Sequence, residues 1–146
     1  MTTRSDLPLV YSCSGCSSAA QLANHLAVRL DRAGLAEMSC IAGIGGDVPA
    51  LVGLARKAAR AGRPILAIDG CALACALACL RQRGLAPTEH VQLADDGVRK
   101  SYHADFDAAQ ADLLYDRLVD RIAELRPISP APSSVPDEPI RRTAQG

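Results

Sequence analysis

Four times along this chain, a short apolar run precedes a longer stretch in which apolar residues recur every three or four positions. The short runs predict buried strands, and the longer stretches predict amphipathic helices. The predicted strands are Leu7–Ser12, Met38–Ala42, Pro64–Ile68 and Glu89–Leu93. Strands that alternate with helices form a parallel sheet with right-handed crossovers. We therefore expect an α/β fold with helices on both faces of a parallel sheet.

Capping residues and glycines delimit the predicted helices. The first three helices are predicted to end at Gly34, Gly62 and Gly84, where left-handed C-caps fit. Residues 43–46 (GIGG) predict a turn, and Asp47 with Pro49 then predicts the start of the second helix. The third helix is predicted to run from Cys71 to Arg83.

The last predicted helix precedes a proline-rich segment. Asp105 or Asp107 is its expected N-cap. Its apolar stripe consists of Leu114, Leu118, Ile122 and Leu125. Residues 127–146 contain five of the nine prolines, which predicts a disordered tail. We expect one domain over residues 5–126, with about four strands in the order 2-1-3-4, as in Rossmann-like and flavodoxin-like folds.

Composition argues against several functions. Sixteen Lys and Arg balance 16 Asp and Glu, and aromatic residues form 3% of the chain, so nucleic acid is not an expected partner. The longest apolar run, Cys71–Leu80, has 10 residues, whereas a membrane helix needs about 20, so no membrane span is expected.

The amino terminus lacks the pattern of a signal peptide, which predicts a cytoplasmic protein. In that reducing compartment the six cysteines are expected to be metal ligands or reactive thiols rather than disulfides.

Four of these cysteines follow the ends of predicted strands. Cys13 and Cys16 lie in the loop after the first strand, Cys40 lies at the end of the second, and Cys71 follows the third. Ligands of doubly wound sheets bind beyond the carboxyl ends of the strands, and the order 2-1-3-4 makes these loops neighbours. The sequence therefore predicts that the thiols converge at one edge of the sheet.

In the predicted third helix, cysteines and leucines occupy opposite faces, because successive residues are about 100° apart. The two faces consist of Cys71, Cys75 and Cys79, and of Leu73, Leu77 and Leu80. The spacings of Cys13 to Cys16 and of Cys71 to Cys75 are typical of zinc ligands, and four thiolates suit a tetrahedral ion. The best quartet for zinc is thus Cys13, Cys16, Cys71 and Cys75. Cys79 lies one turn further from the strand ends and is interpreted as a core residue.

The residues next to Cys71 support such a site. Gly70 permits a positive φ or a close backbone approach, and a helix N-terminus stabilises the thiolate of Cys71. Asp69 is interpreted as a helix cap, with orientation of a ligand or proton transfer as the alternative. Cys40 has three alternative roles, as a fifth ligand, a resolving thiol or a small apolar residue at a strand end. The turn at residues 43–46 would let it approach the site.

The residues leave three functions open. The first is a metal-binding protein that holds zinc for structure, storage, delivery or sensing. The second is a thiol enzyme or carrier, in which Cys13 attacks and Cys16 or Cys40 resolves, or in which Cys71 carries a persulfide. The third is an iron–sulfur protein that uses the same cysteines. His25 and His90 are interpreted as surface or interfacial residues and are not assigned to the site.

Three spaced motifs resemble the DGC-domain family of bacterial and archaeal proteins, which is named for Asp-Gly-Cys. They are Cys13-Ser-Gly-Cys16, the segment from Ser39 to Gly46, and Ile68-Asp69-Gly70-Cys71 with Cys75. The resemblance covers about residues 7–100 and implies a cysteine-bound metal, since the family is described as zinc-binding. It implies Cys13, Cys16, Cys71 and Cys75 as ligands and places Cys40 inside a family motif. It does not indicate a reaction or a physiological role.

Overall fold

The computed structural model describes residues 3–125 as an α/β fold around a four-stranded sheet. The strands are β1 (Leu9–Ser12), β2 (Glu37–Met38), β3 (Ile65–Asp69) and β4 (Glu89–Gln92). Their order is β2-β1-β3-β4, and each neighbouring pair is parallel. The predicted fold class and strand order are confirmed.

Within residues 3–125, five α-helices connect or follow these strands. They are α1 (Ser18–Arg32), α2 (Ile41–Gly45), α3 (Pro49–Arg60), α4 (Cys75–Gln82) and α5 (Ala108–Glu124), with short 3₁₀ turns at Arg4–Asp6 and Leu93–Asp96. Ser17 caps α1 by accepting the N–H of Ala20. Of the two predicted caps of α5, Asp107 is the one observed, since its side chain accepts the N–H of Gln110. The predicted helix ends at Gly34, Gly62 and Gly84 have positive φ.

The sheet is covered on both faces, and its central strands β1 and β3 are buried throughout. On one face, Leu26 of α1 and Leu118 of α5 pack with Val10 and Leu66. The other face is covered by residues of α2, α3 and α4: Ile44, Val52, Ala55 and Leu80. Because each fully buried leucine contributes about 1.5–3 kcal/mol, these two layers stabilise the frame that positions the strand ends.

The segment after β2 differs from the prediction. A strand over residues 38–42 and a turn over 43–46 were expected, but β2 ends at Met38 and the helix α2 follows at Ile41–Gly45. Gly43 allows this helix to pack closely on α3, since a Cβ at Gly43 would overlap the side chain of Leu51. The predicted N-cap of α3, Asp47, instead has φ +56°, and Val48 precedes Pro49 at the helix start.

Helix α4 also begins later than predicted. Cys71 was expected to start it, but the helix begins at Cys75, after Ala74 with φ 50° and ψ 50° in the left-handed region. The predicted stripe of cysteines is therefore interrupted between Cys71 and Cys75, and Cys71 does not occupy the helix N-terminus that was predicted for it. The leucine face is only partly a core face, because Leu80 is buried while Leu73 is 70% exposed.

Two further expectations concern the C-terminal tail and membrane-spanning helices. The predicted tail, residues 127–146, lies outside the described residues. Within residues 3–125, no helix has the length and apolar character that crossing a membrane requires.

Candidate functional site

Cys13 lies directly after β1 and is 8% exposed. Its sulfur accepts the N–H of Gly70 at 3.2 Å. Burial raises the pKa of Cys13 to about 11, and the nearby charges of Asp69, Cys71 and Cys75 also raise it. Without a metal, this thiol is protonated at neutral pH, which disfavours Cys13 as an attacking nucleophile.

Gly70 brings the end of β3 against the first turn of α1. A Cβ at this position would overlap the backbone carbonyl of Ala19. Of the two reasons for a glycine given above, close backbone approach is thus the one the structure shows. This approach holds the segment that carries Cys71 beside Cys13.

Cys71 is half-buried, and the Nζ atom of Lys100 lies 3.7 Å from its sulfur. The segment that carries Lys100 is fastened to α1: Ser18 N donates to Ser101 O at 2.8 Å, and Ser101 N donates to Ser18 Oγ at 2.9 Å. The pKa of Lys100 is raised by a hydrogen bond with Tyr102 and by the negative charge of Cys71. The structure therefore places a cation beside a candidate ligand.

Asp69, the last residue of β3, is 1% exposed and accepts three hydrogen bonds. The backbone N–H groups of Ala76 and Leu77 donate to it at 2.8 and 3.1 Å, and Nε2 of His90 lies 2.8 Å from Oδ2. Asp69 thus caps α4 from the preceding strand, which satisfies N–H groups that the helix itself leaves free.

The remaining cysteines differ in exposure. Cys75 is exposed at the start of α4, and Cys16 and Cys40 are exposed in the segments after β1 and β2. Cys79 is half-buried against the core and against Gly45 of α2. Burial raises the pKa of Cys79, and the charge of Cys75 adds to this. Cys40 occupies the N-cap position of α2 and not a strand end, because β2 stops at Met38.

The thiols of Cys13, Cys71 and Cys75 are near enough that the charges of the latter two raise the pKa of Cys13. By the chemistry of its donors, this edge fits a thiophilic ion such as zinc. Among residues 3–125, however, no three His, Cys, Asp or Glu side chains are arranged so that they could hold one ion. An ion bound here would therefore require side chains, or the segment 71–74, to move.

Lys100 and His90 are the two contacts of the site that the sequence interpretation missed. Lys100 had no local signal, since 29 residues separate it from Cys71. For His90, the sequence contains a weak signal. Strand alternation puts His90, which pairs with Ala67 across β3 and β4, on the same face as Asp69.

The fold and the site define a class of protein: a parallel α/β protein with thiols grouped at the carboxyl edge of its sheet. The family model described as the DGC domain matches residues 9–118, and the chain belongs to this family. The chain is 58% identical over 112 residues to a protein of Pseudomonas aeruginosa named anaerobic and virulence modulator AnvM. That alignment covers 77% of this chain and 82% of the relative. No solved structure matches the chain.

Proposed function

We propose that this protein binds a metal ion through thiolates, with zinc as the ion. The ligands are Cys13, Cys16, Cys71 and Cys75, with Cys40 as a fifth candidate. The observation that carries the proposal is the grouping of Cys13 with Cys71 and Cys75: the sulfur of Cys13 accepts the N–H of Gly70, which directly precedes Cys71, and the charges of Cys71 and Cys75 raise the pKa of Cys13. Bound zinc would cross-link the loops after β1 and β3.

The chain's own residues support this role. The hydrogen bond from Gly70 N–H to Cys13 keeps that sulfur at the sheet edge, and it also favours the thiolate form. The ammonium of Lys100 lies where it offsets the negative charge that a thiolate at Cys71 contributes. Asp69 fixes the start of the helix that carries Cys75.

We further propose a regulatory role for this binding. The relative AnvM is named as an anaerobic and virulence modulator. A thiolate site suits a modulator that responds to oxygen. When two thiolates form a disulfide, O₂ takes up their two electrons with two protons to give hydrogen peroxide, and the sulfurs lose the negative charge with which they hold a metal. Binding in the reduced state and release on oxidation is the mechanism that we propose.

Metal content tests the proposal. Full-length protein purified anaerobically without chelators should be colourless and contain one zinc per chain by elemental analysis. Cys75→Ser should lose most of the zinc, because three ligands bind more weakly than four. Cys79→Ala is the matched control on the same helix and should keep it. If Cys75→Ser kept its zinc while Cys79→Ala or Cys40→Ala lost it, the proposed ligands would be wrong, and Cys79 or Cys40 would take the place of Cys75.

A second candidate function is thiol chemistry at Cys71, in which this residue attacks a disulfide or carries a persulfide. The contact with Lys100 favours it, because the ammonium lies 3.7 Å from the sulfur of Cys71 and offers it a hydrogen bond and a balancing positive charge. This candidate would replace zinc binding if the purified protein contained no metal and two of its cysteines cycled reversibly through a disulfide. A brown protein that contains iron would instead indicate the iron–sulfur alternative.

A further inference from the structure

Helix α4 lacks a capping side chain of its own. Its N-cap residue is Ala74, whose methyl group cannot accept a hydrogen bond, and whose left-handed backbone is uncommon for a residue other than glycine. The N–H groups of Ala76 and Leu77 are instead bound by Oδ1 and Oδ2 of Asp69. The position of the first turn of α4 therefore depends on the orientation of one carboxylate from β3.

His90 holds that carboxylate from the neighbouring strand. Its Nε2 lies 2.8 Å from Oδ2 of Asp69, and the ring N–H donates to this oxygen, since both oxygens of the carboxylate are acceptors for the backbone of α4. The side chain of Asp69 is 1% exposed and that of His90 is 23% exposed, so the contact is largely shielded from water. Such a hydrogen bond restricts the carboxylate to the orientation that caps α4.

We propose that His90 is a positioning residue for the thiol site. By fixing the carboxylate of Asp69, it holds the first turn of α4 and with it Cys75, which directly precedes Ala76. Without His90 the carboxylate can rotate, the turn loosens, and the sulfur of Cys75 loses its fixed position relative to Cys13. The effect on zinc rests on the function proposed above, whereas the effect on the helix start does not.

Three variants of the full chain test this proposal. His90→Leu removes the donor, and His90→Gln retains an amide N–H that can reach the carboxylate. Asp107→Ala is the matched control, because it removes the side-chain cap of α5 instead. The measurements are amide hydrogen exchange at Ala76 and Leu77 in metal-free protein, zinc affinity by competition with a chromophoric chelator, and the melting temperature.

In His90→Leu, exchange at both amides should accelerate about tenfold or more, and zinc affinity should fall about 10–100-fold, the range typical when a partner of a ligand shell is lost. His90→Gln should restore both to within about threefold of the wild type. Asp107→Ala should lower the melting temperature while changing neither quantity, so a general loss of stability cannot produce the expected pattern.

Unchanged exchange and zinc affinity in His90→Leu would overturn the proposal while leaving zinc binding intact. A wild type that binds no zinc would refute the proposed function. In that case amide exchange at Ala76 and Leu77 alone tests the positioning role of His90. Faster exchange in His90→Leu would support this role, and unchanged exchange would refute it. Should His90→Leu fail to fold, His90→Thr provides the same test, since threonine suits a strand and is too short to reach Asp69.

Discussion

Cys13 and Cys16 are three positions apart, but their surroundings differ. The sulfur of Cys13 is buried and receives the N–H of Gly70, whereas Cys16 is exposed in the loop before α1. Burial disfavours the charged thiolate, which is why the pKa of Cys13 is raised to about 11. A thiophilic ion must therefore displace a firmly held proton from one ligand, so we expect zinc affinity to depend steeply on pH.

Alkylation of the reduced, metal-free protein should distinguish the two thiols. At pH 7, iodoacetamide should label Cys16 at least about tenfold faster than Cys13, because Cys13 is buried and its pKa is raised to about 11. Labelling of Cys13 should remain slow through pH 9, since its thiolate forms only as the pH approaches 11. Peptide mass spectrometry over a time course measures both rates. Equal rates would show that burial neither shields Cys13 nor raises its pKa.

Gly70 and Gly53 provide a second comparison between single residues. Gly70→Ala should destabilise the protein by about 1–3 kcal/mol, because the new Cβ meets the rigid backbone of Ala19. Gly53 is exposed on α3, and a Cβ there would meet no described atom within 4 Å other than the backbone of its own helix. Gly53→Ala should therefore stabilise the protein by about 0.5–1 kcal/mol. Urea unfolding measures both free energies. An unchanged free energy of unfolding in Gly70→Ala would mean that α1 and β3 can move apart without loss of stability.

Secondary-structure elements were predictable where their boundary signals are local. Pro49 and Gly62 delimit α3, and Asp107 begins α5, within a turn of the residues they affect. The start of α4 was not predictable in this way, because it depends on hydrogen bonds from Ala76 and Leu77 to Asp69. Helical periodicity continues through Cys71, so pattern alone extends the helix too far.

The short strand β2 depends in the same way on a contact from another element. Asp31, near the end of α1, is 5% exposed, and its Oδ1 accepts the N–H of Met38 at 2.9 Å. This hydrogen bond is the main reason that the pKa of Asp31 lies below its usual 3.8, and Arg32 and Arg4 lower it further. Since β2 has only two residues, such an anchor matters more to it than to a longer strand.

Asp31→Asn should therefore lower the free energy of unfolding by about 1–2 kcal/mol at pH 7. Because the pKa is depressed in the folded state, the contribution of the carboxylate is complete well above pH 4 and is lost as the pH falls through the folded pKa. The stability difference between variant and wild type should thus shrink in acid. Denaturant unfolding at a series of pH values measures it. Asp112→Asn, at an exposed pair with Arg29, is the control and should change stability by less than about 0.5 kcal/mol.

For the whole molecule, strand order was the link between sequence and site. Alternating strands and helices predict a parallel sheet, and the order expected by analogy with doubly wound folds makes β1 and β3 adjacent, which brings the loops with Cys13 and Cys71 to one edge. The contacts of Lys100 and His90 could not be predicted as readily, because they come from segments without cysteines and meet the site only after the chain has folded. Topology thus indicates where a site lies, whereas the surroundings that tune it depend on side-chain packing.

The predicted independence of the domain from residues 128–146 is testable by truncation. The buried apolar side chains of the described residues lie between Leu9 and Ile122, and the family match covers residues 9–118. Deleting residues 128–146 should therefore shift the melting temperature by less than about 2 °C, which corresponds to under about 1 kcal/mol, and should leave the zinc content unchanged. Circular dichroism and elemental analysis measure these quantities.

Truncation after Leu113 is the contrasting control. It removes the buried residues Leu114, Leu118 and Ile122 of α5. Burial of each is worth about 1.5–3 kcal/mol, so the loss of three approaches the whole stability of a domain of this size and should prevent cooperative unfolding. If deleting residues 128–146 also lowered the melting temperature strongly, those residues would contribute to the core. If it released zinc while the melting temperature stayed constant, they would contribute to the thiol site, and the domain boundary at residue 126 would have to move.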